Sequence, residues 1–128
     1  MTACDDVEMS LRVLIADDHA GFRSRARALL RLEGYDVVGE AADGASALSV
    51  ARRLRPDLVL LDVRLPDVDG FEIARQLARD DAPPTVILIS SRDAADYGGR
   101  IADSGAIGFI TKADLSGSSL AALLAPGP

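Results

Sequence analysis

The sequence predicts an α/β protein, an open doubly wound sheet of five parallel strands with five helices distributed over its two faces. Three observations carry that prediction. Four short runs are apolar without alternation, which is how strands read when both faces are covered, as in parallel sheets. The segments between the runs instead repeat apolar residues at helical spacing. A chain of 128 residues suits one compact domain with one core.

The first strand is read at residues 13–16, Val-Leu-Ile-Ala. Helix 1 follows with Phe22, Ala26, Leu29 and Leu30 on one face, while Arg23, Arg25, Arg27 and Arg31 fall mostly off it as a solvated surface; Gly34 ends it. Val37 and Val38 supply a weaker strand, placed at a sheet edge. Helix 2 is marked by Ala47, Leu48, Ala51 and Leu54 and is closed by Pro56. Strand 3 takes residues 58–61, and helix 3 presents Phe71, Ala74, Leu77 and Ala78 before the Pro83 and Pro84 pair. Strand 4 takes residues 86–89. A fourth helix falls within residues 93–104, where Gly98 and Gly99 follow Tyr97. Each interior glycine costs about 0.8–1.0 kcal/mol relative to alanine, so this helix is expected to start late or fray, with faster amide exchange over residues 94–99 than in helices 1 to 3. Strand 5 is read at residues 107–110 around Gly108, and a short fifth helix presents Leu120, Leu123 and Leu124 after an N-cap at Ser116 or Ser118. Five βα units with right-handed crossovers favour the flavodoxin-like strand order 2-1-3-4-5. Residues 1–10 are read as an N-terminal extension, 11–125 as the domain, and 126–128 as a tail or the start of a linker.

Composition narrows the function classes. Lys and Arg total 14 against 20 Asp and Glu, a formal net charge of −6 that argues against a nucleic-acid or anionic-membrane surface on this chain. The lone Cys4 has no internal disulfide partner, and the lone His19 leaves no zinc-type Cys/His spacing. Asp5, Asp6 and Glu8 stand where a signal peptide carries positive charge, and no apolar run approaches the ~18 residues of a membrane span. A cytoplasmic location is expected.

In open α/β sheets ligands bind beyond the carboxyl ends of the strands. Strand 1 runs into Asp17 and Asp18, strand 3 into Asp62, strand 4 into Ser90, and strand 5 into Thr111 and Lys112. With strands 1 and 3 adjacent, three carboxylates share one crevice beside a hydroxyl and an ammonium. Such carboxylates repel one another unless a cation neutralises them, and an all-oxygen site suits Mg²⁺, or Mn²⁺ in its place. Lys112 is the only lysine among 14 Lys and Arg residues, and its compact ammonium can approach a phosphoryl oxygen or carboxylate in a tight space. The bland alternative is a solvated acidic rim.

Four motifs, in order and spacing, resemble the receiver domain of two-component response regulators, the CheY-like superfamily. They are Val-Leu-Ile-Ala-Asp17-Asp18-His19, Leu-Val-Leu-Leu-Asp62-Val-Arg-Leu-Pro66-Asp-Val-Asp-Gly70, Ile-Leu-Ile-Ser90-Ser and Gly-Phe109-Ile-Thr-Lys112. The resemblance covers nearly the whole chain, and the two terminal motifs resemble the NarL/FixJ (LuxR-type) branch, whose members usually carry a C-terminal helix-turn-helix. It implies that Asp62 is the phosphoacceptor for a sensor histidine kinase. It further implies that Asp17, Asp18, Asp62 and the backbone carbonyl of Arg64 hold Mg²⁺, and that Lys112 shares the phosphoryl charge. Ser90 would be drawn inward by the roughly −1.5 to −2 charge of the phosphoryl group, and Phe109 would turn into the vacated space. The face of helix 4, strand 5 and helix 5 would then change, with homodimerisation as one outcome. Turnover is limited to self-catalysed phosphotransfer and autodephosphorylation. DNA would be reached only through an output domain outside this chain; a stand-alone receiver acting through protein contacts or a phosphorelay is the alternative.

The pattern has departures. Ala113 replaces a common proline, so no cis peptide is expected there; Ser90 and Ser91 stand for the commoner Thr and a smaller residue. Arg64 and Arg92 occupy positions that in the family tune dephosphorylation, and are expected to crowd the hydrolytic water. His19 is read as a hydrogen-bonding residue and not a phosphate carrier. A haloacid-dehalogenase-type phosphatase would need a second acid where Arg64 stands, and a flavodoxin would need a Ser/Thr/Gly-rich loop where Asp17 and Asp18 stand.

Overall fold

The computed structural model describes residues 10–125. The N-terminal extension with Cys4, and the tail at 126–128, lie outside the described residues. Five strands, β1 (Arg12–Ala16), β2 (Asp36–Ala41), β3 (Leu58–Asp62), β4 (Thr85–Ser90) and β5 (Gly108–Thr111), form one parallel sheet in the order β2-β1-β3-β4-β5. The helices are α1 (Ala20–Leu32), α2 (Gly44–Leu54), α3 (Gly70–Ala78), α4 (Arg100–Asp103) and α5 (Gly117–Leu124). Strand order, parallel pairing and the edge position of β2 agree with the sequence reading.

The two faces of the sheet explain why the runs are apolar throughout. Leu14, Val59, Leu61 and Leu88 point to one side, where they pack with Ala47 and Ala51 of α2 and Phe71, Ala74 and Leu77 of α3. Val13, Ile15, Leu58, Leu60, Ile87 and Ile89 point to the other, against Phe22, Ala26 and Leu30 of α1 and Leu120 of α5. Successive strand residues alternate faces, so both neighbours in the sequence are buried. Each such side chain contributes about 1.5–3 kcal/mol by leaving water.

Two details differ from the sequence reading, at Ala78 and Ile107, and the fourth helix follows it. Ala78, the last residue of α3, is exposed although Leu77 before it is buried. Ile107 is 49% exposed and precedes β5, which starts at Gly108 and runs on to Thr111. The fourth helix shrinks to the single turn α4, preceded by a 3-10 turn at Ala94–Asp96; between them Gly98 adopts φ +56°, which breaks the helical run. That late start is the one the two glycines predict. The α5 N-cap is Ser116, which accepts from Ser119 N–H while Ser119 Oγ accepts from Ser116 N–H. All described peptide bonds are trans, that before Ala113 included.

Candidate functional site

The carboxyl ends of β1, β3, β4 and β5 meet at one acidic cleft of about 280 Å³, lined by Asp18, His19, Asp62, Arg64, Ser90, Ser91 and Lys112. Asp17 is fully buried at the end of β1. Its backbone is fixed from two directions: its N–H donates to Ala41 O of β2 at 2.9 Å, and its carbonyl accepts from Arg23 Nη1 at 2.6 Å. Arg23 is in turn held by Glu40 at 2.9 Å, and Arg27 also pairs with Glu40. Arg23, with its side chain 19% exposed, is therefore not part of a solvated face, whereas Arg27 stays 42% exposed; through Glu40 both tie α1 to β2.

Asp62 ends β3, and its Oδ1 accepts from Arg64 N–H at 3.0 Å. A short antiparallel bridge between Arg64 and Asp69 closes the following loop, and Gly70 N–H donates to Val63 O at 2.7 Å. A side chain on Gly70 would collide with the Asp62 carbonyl, so glycine lets α3 start against the end of β3. Asp67 and Asp69 fasten the same loop to two helices: Asp67 accepts from Gly44 and Ala45 N–H at 2.7 and 3.0 Å, and Asp69 caps α3 through Glu72 N–H at 3.0 Å.

Lys112, after β5, places Nζ 2.7 Å from Asp17 Oδ2 and 3.3 Å from Asp62 Oδ2. Burial alone would lower the Lys112 ammonium, but the Asp17 and Asp62 carboxylates outweigh it and raise its pKa above the ordinary lysine value. Asp62 is held above the usual carboxylate range, first by burial and further by Asp17, against the lowering effect of the Arg64 N–H and Lys112.

Ligand atoms of Asp17, Asp18, His19 and Asp62 all lie within 4.8 Å of one another. The buried Asp17 Oδ2 is ion-paired to Lys112 but receives no aligned hydrogen bond. Three carboxylates facing one ammonium, with a buried oxygen left to satisfy, form a donor set that fits a hard divalent cation. His19 is exposed, with Nδ1 3.1 Å from Asp18 Oδ1 and its backbone N–H donating to Asp17 Oδ1 at 2.7 Å, in keeping with a hydrogen-bonding residue.

Ser90 is buried, 1% exposed, at the end of β4, level with Thr111 of β5. Its hydroxyl accepts from Arg92 N–H at 3.0 Å and shares a hydrogen bond with the Tyr97 hydroxyl at 2.7 Å. Tyr97 was not singled out as a site residue by the sequence; an aromatic beside paired glycines reads as a helix start. Its ring meets Phe71 at 5.4 Å and the half-buried Phe109 at 5.8 Å between centroids. A second cavity of about 420 Å³ adjoins the cleft and is lined in part by Arg64, Phe71, Arg92, Tyr97 and Arg100. Arg92 lines this cavity and not the acidic cleft, whereas Arg64 lines both.

The sequence profile of the response regulator receiver domain matches residues 13–123. The chain belongs to the response regulator receiver family. The receiver is 40% identical over 109 residues to the transcriptional regulatory protein PdtaR of Mycobacterium tuberculosis, across 84% of this chain and 52% of PdtaR. It is 38% identical over 113 residues to a protein-glutamate methylesterase/protein-glutamine glutaminase of Alkalilimnicola ehrlichii, across 85% of this chain and 29% of that one. Among solved structures it resembles the signal receiver domain of NarL from Mycobacterium tuberculosis, with TM-score 0.79, 34% identity, and coverage of 91% of this chain and 98% of that one. The receiver spans about half the length, or less, of these two curated relatives. The CheY-like fold and the two-component assignment both agree with the motifs. Among the described residues no helix is long and apolar enough to cross a membrane.

Proposed function

We propose that Asp62 accepts a phosphoryl group from a sensor histidine kinase in the cytoplasm, and that the modified cleft resets a protein-contact face. The observation that carries this reading is the single lysine, which lines the cleft 3.3 Å from Asp62 and 2.7 Å from Asp17, beside the cluster of Asp17, Asp18 and Asp62. A carboxylate oxygen of Asp62 forms the new P–O bond as the donor's P–N bond breaks, leaving the donor imidazole and an acyl phosphate. The fixed Arg64 N–H holds Oδ1 and so orients the carboxylate before the donor arrives. Lys112 sits where it shares the charge on the phosphoryl oxygens. Asp17, Asp18, Asp62 and the Arg64 carbonyl would hold Mg²⁺, or Mn²⁺ in its place, with His19 at the rim. When bound, the ion supplies positive charge that offsets the carboxylates and the incoming phosphoryl group.

The Ser90 hydroxyl then exchanges its partner for a phosphoryl oxygen, and Phe109 follows, biasing an existing equilibrium of the face built from α4, β5 and α5. Homodimerisation through that face is one consequence. The match covers only 52% of PdtaR, a transcriptional regulatory protein, which supports an output domain of the transcription-regulator kind, a helix-turn-helix by the NarL-like motifs. Radiolabelled phosphoryl transfer from acetyl phosphate with Mg²⁺ tests the reading: label enters the wild-type chain and not Asp62→Asn. Label retained by Asp62→Asn would overturn it.

A further inference from the structure

We propose that Tyr97 is a positioning residue that latches the Ser90 hydroxyl away from Asp62 in the unmodified protein, and that phosphorylation breaks this latch. The inference rests on the phosphoacceptor reading of Asp62 and goes beyond it in naming what Ser90 must leave. A serine hydroxyl has one proton to donate. Ser90 is buried, its oxygen already accepts from Arg92 N–H at 3.0 Å, and the Tyr97 oxygen at 2.7 Å is the one acceptor its proton meets among the described residues. A buried proton needs such an acceptor, so Ser90 is committed to Tyr97 until a better one appears. An anionic phosphoryl oxygen on Asp62 is that better acceptor, because charge-assisted hydrogen bonds are about twice as strong as neutral ones.

Tyr97 is suited to carry the signal onward. Over residues 91–100 every other side chain is exposed, so its ring, with the Arg100 guanidinium lying 4.4 Å over Phe71, pins this segment to the body. Gly98 at φ +56° and the adjoining Gly99, at which a Cβ would meet nothing, leave the segment free to pivot. The hydroxyl pair also joins the lining of the 280 Å³ cleft to that of the 420 Å³ cavity, which gives a released ring space to enter. Loss of the Ser90 bond therefore loosens residues 94–99 beside α4.

Tyr97 is one of two tyrosines in a chain without tryptophan, so in a Tyr35→Phe background its emission and ring NMR signals report on it alone. These signals are followed while acetyl phosphate and Mg²⁺ are added and the mass gain of one phosphoryl group is monitored in the same sample. The expected result is a change in the Tyr97 signals in step with the mass gain. Tyr97→Phe keeps the ring contacts but frees Ser90, and lowers the acetyl phosphate needed for half-modification about two- to tenfold. That effect disappears when Ser90→Ala is already present, which a packing role for the ring would not produce. Circular dichroism checks that each variant is folded. Mass gain with unchanged Tyr97 signals, or a Tyr97→Phe effect that persists in the Ser90→Ala background, overturns the latch. No mass gain overturns the phosphoacceptor reading, and the latch with it.

Discussion

Lys112 is the residue on which the cleft's electrostatics turn. It is the one ammonium set against Asp17, Asp18 and Asp62, and it touches two of them. Replacing it with alanine removes a charge already in place when phosphoryl charge develops, so Lys112→Ala should lower the rate of Asp62 modification by about 10²–10³-fold, measured with acetyl phosphate and Mg²⁺. A rate within a few-fold of wild type would assign Lys112 a structural role only. Arg64 and Arg92 separate in space though the sequence reads them alike. Only Arg64 lines the acidic cleft, so Arg64→Ala should shorten the acyl-phosphate lifetime while Arg92→Ala leaves it near wild type, as read from the decay of labelled protein. Asp17, Asp62, Ser90 and Lys112 were legible because each ends, or lies next to the end of, an apolar run, where polarity alone marks the strand end. The Tyr97 contact was not, since it joins two hydroxyls seven residues apart across a loop whose course no periodicity encodes.

The helices differ in how firmly they are tied. Helices α1, α2 and α3 run 13, 11 and 9 residues and bury a continuous stripe, whereas α4 has 4 residues and buries none. Amide exchange over residues 94–99 should be faster than in α1 to α3 by several-fold or more, and faster again after modification of Asp62. Equal protection across these segments would contradict it. The Asp67 loop anchor makes a second prediction. Its carboxylate is held below the usual carboxylate range, first by the Gly44 N–H and then by the Ala45 N–H. A depressed folded-state pKa means the contribution is present above the unfolded carboxylate value and is lost as pH falls through the folded one. Asp67→Asn should thus lower Tm at neutral pH, and the gap to wild type should close on acidification below the ordinary carboxylate range. The glycine pair predicts the short α4, but Ala78 lies in α3 without being buried, and Ile107 precedes β5 instead of opening it. An apolar residue at a helix end or before a strand has the right chemistry for the core without the position to reach it.

At the scale of the whole molecule, two apolar layers hold a sheet whose carboxyl edge carries every polar group of the cleft. The fold and the cleft follow from the same feature, short and largely buried strands, four of which end on or run into a polar residue at the carboxyl edge. The partner kinase and the output follow from surface complementarity with other chains, and a single chain's periodicity and strand ends hold no record of that. What the account asserts most strongly is that one side chain, Asp62, becomes an acyl phosphate. Borohydride reduction of protein treated with acetyl phosphate and Mg²⁺ converts an aspartyl phosphate to homoserine, and peptide mass spectrometry locates it. The account predicts homoserine at position 62 and at no other aspartate; homoserine at Asp17 or Asp18, or none at all while phosphoryl label is retained, would contradict it.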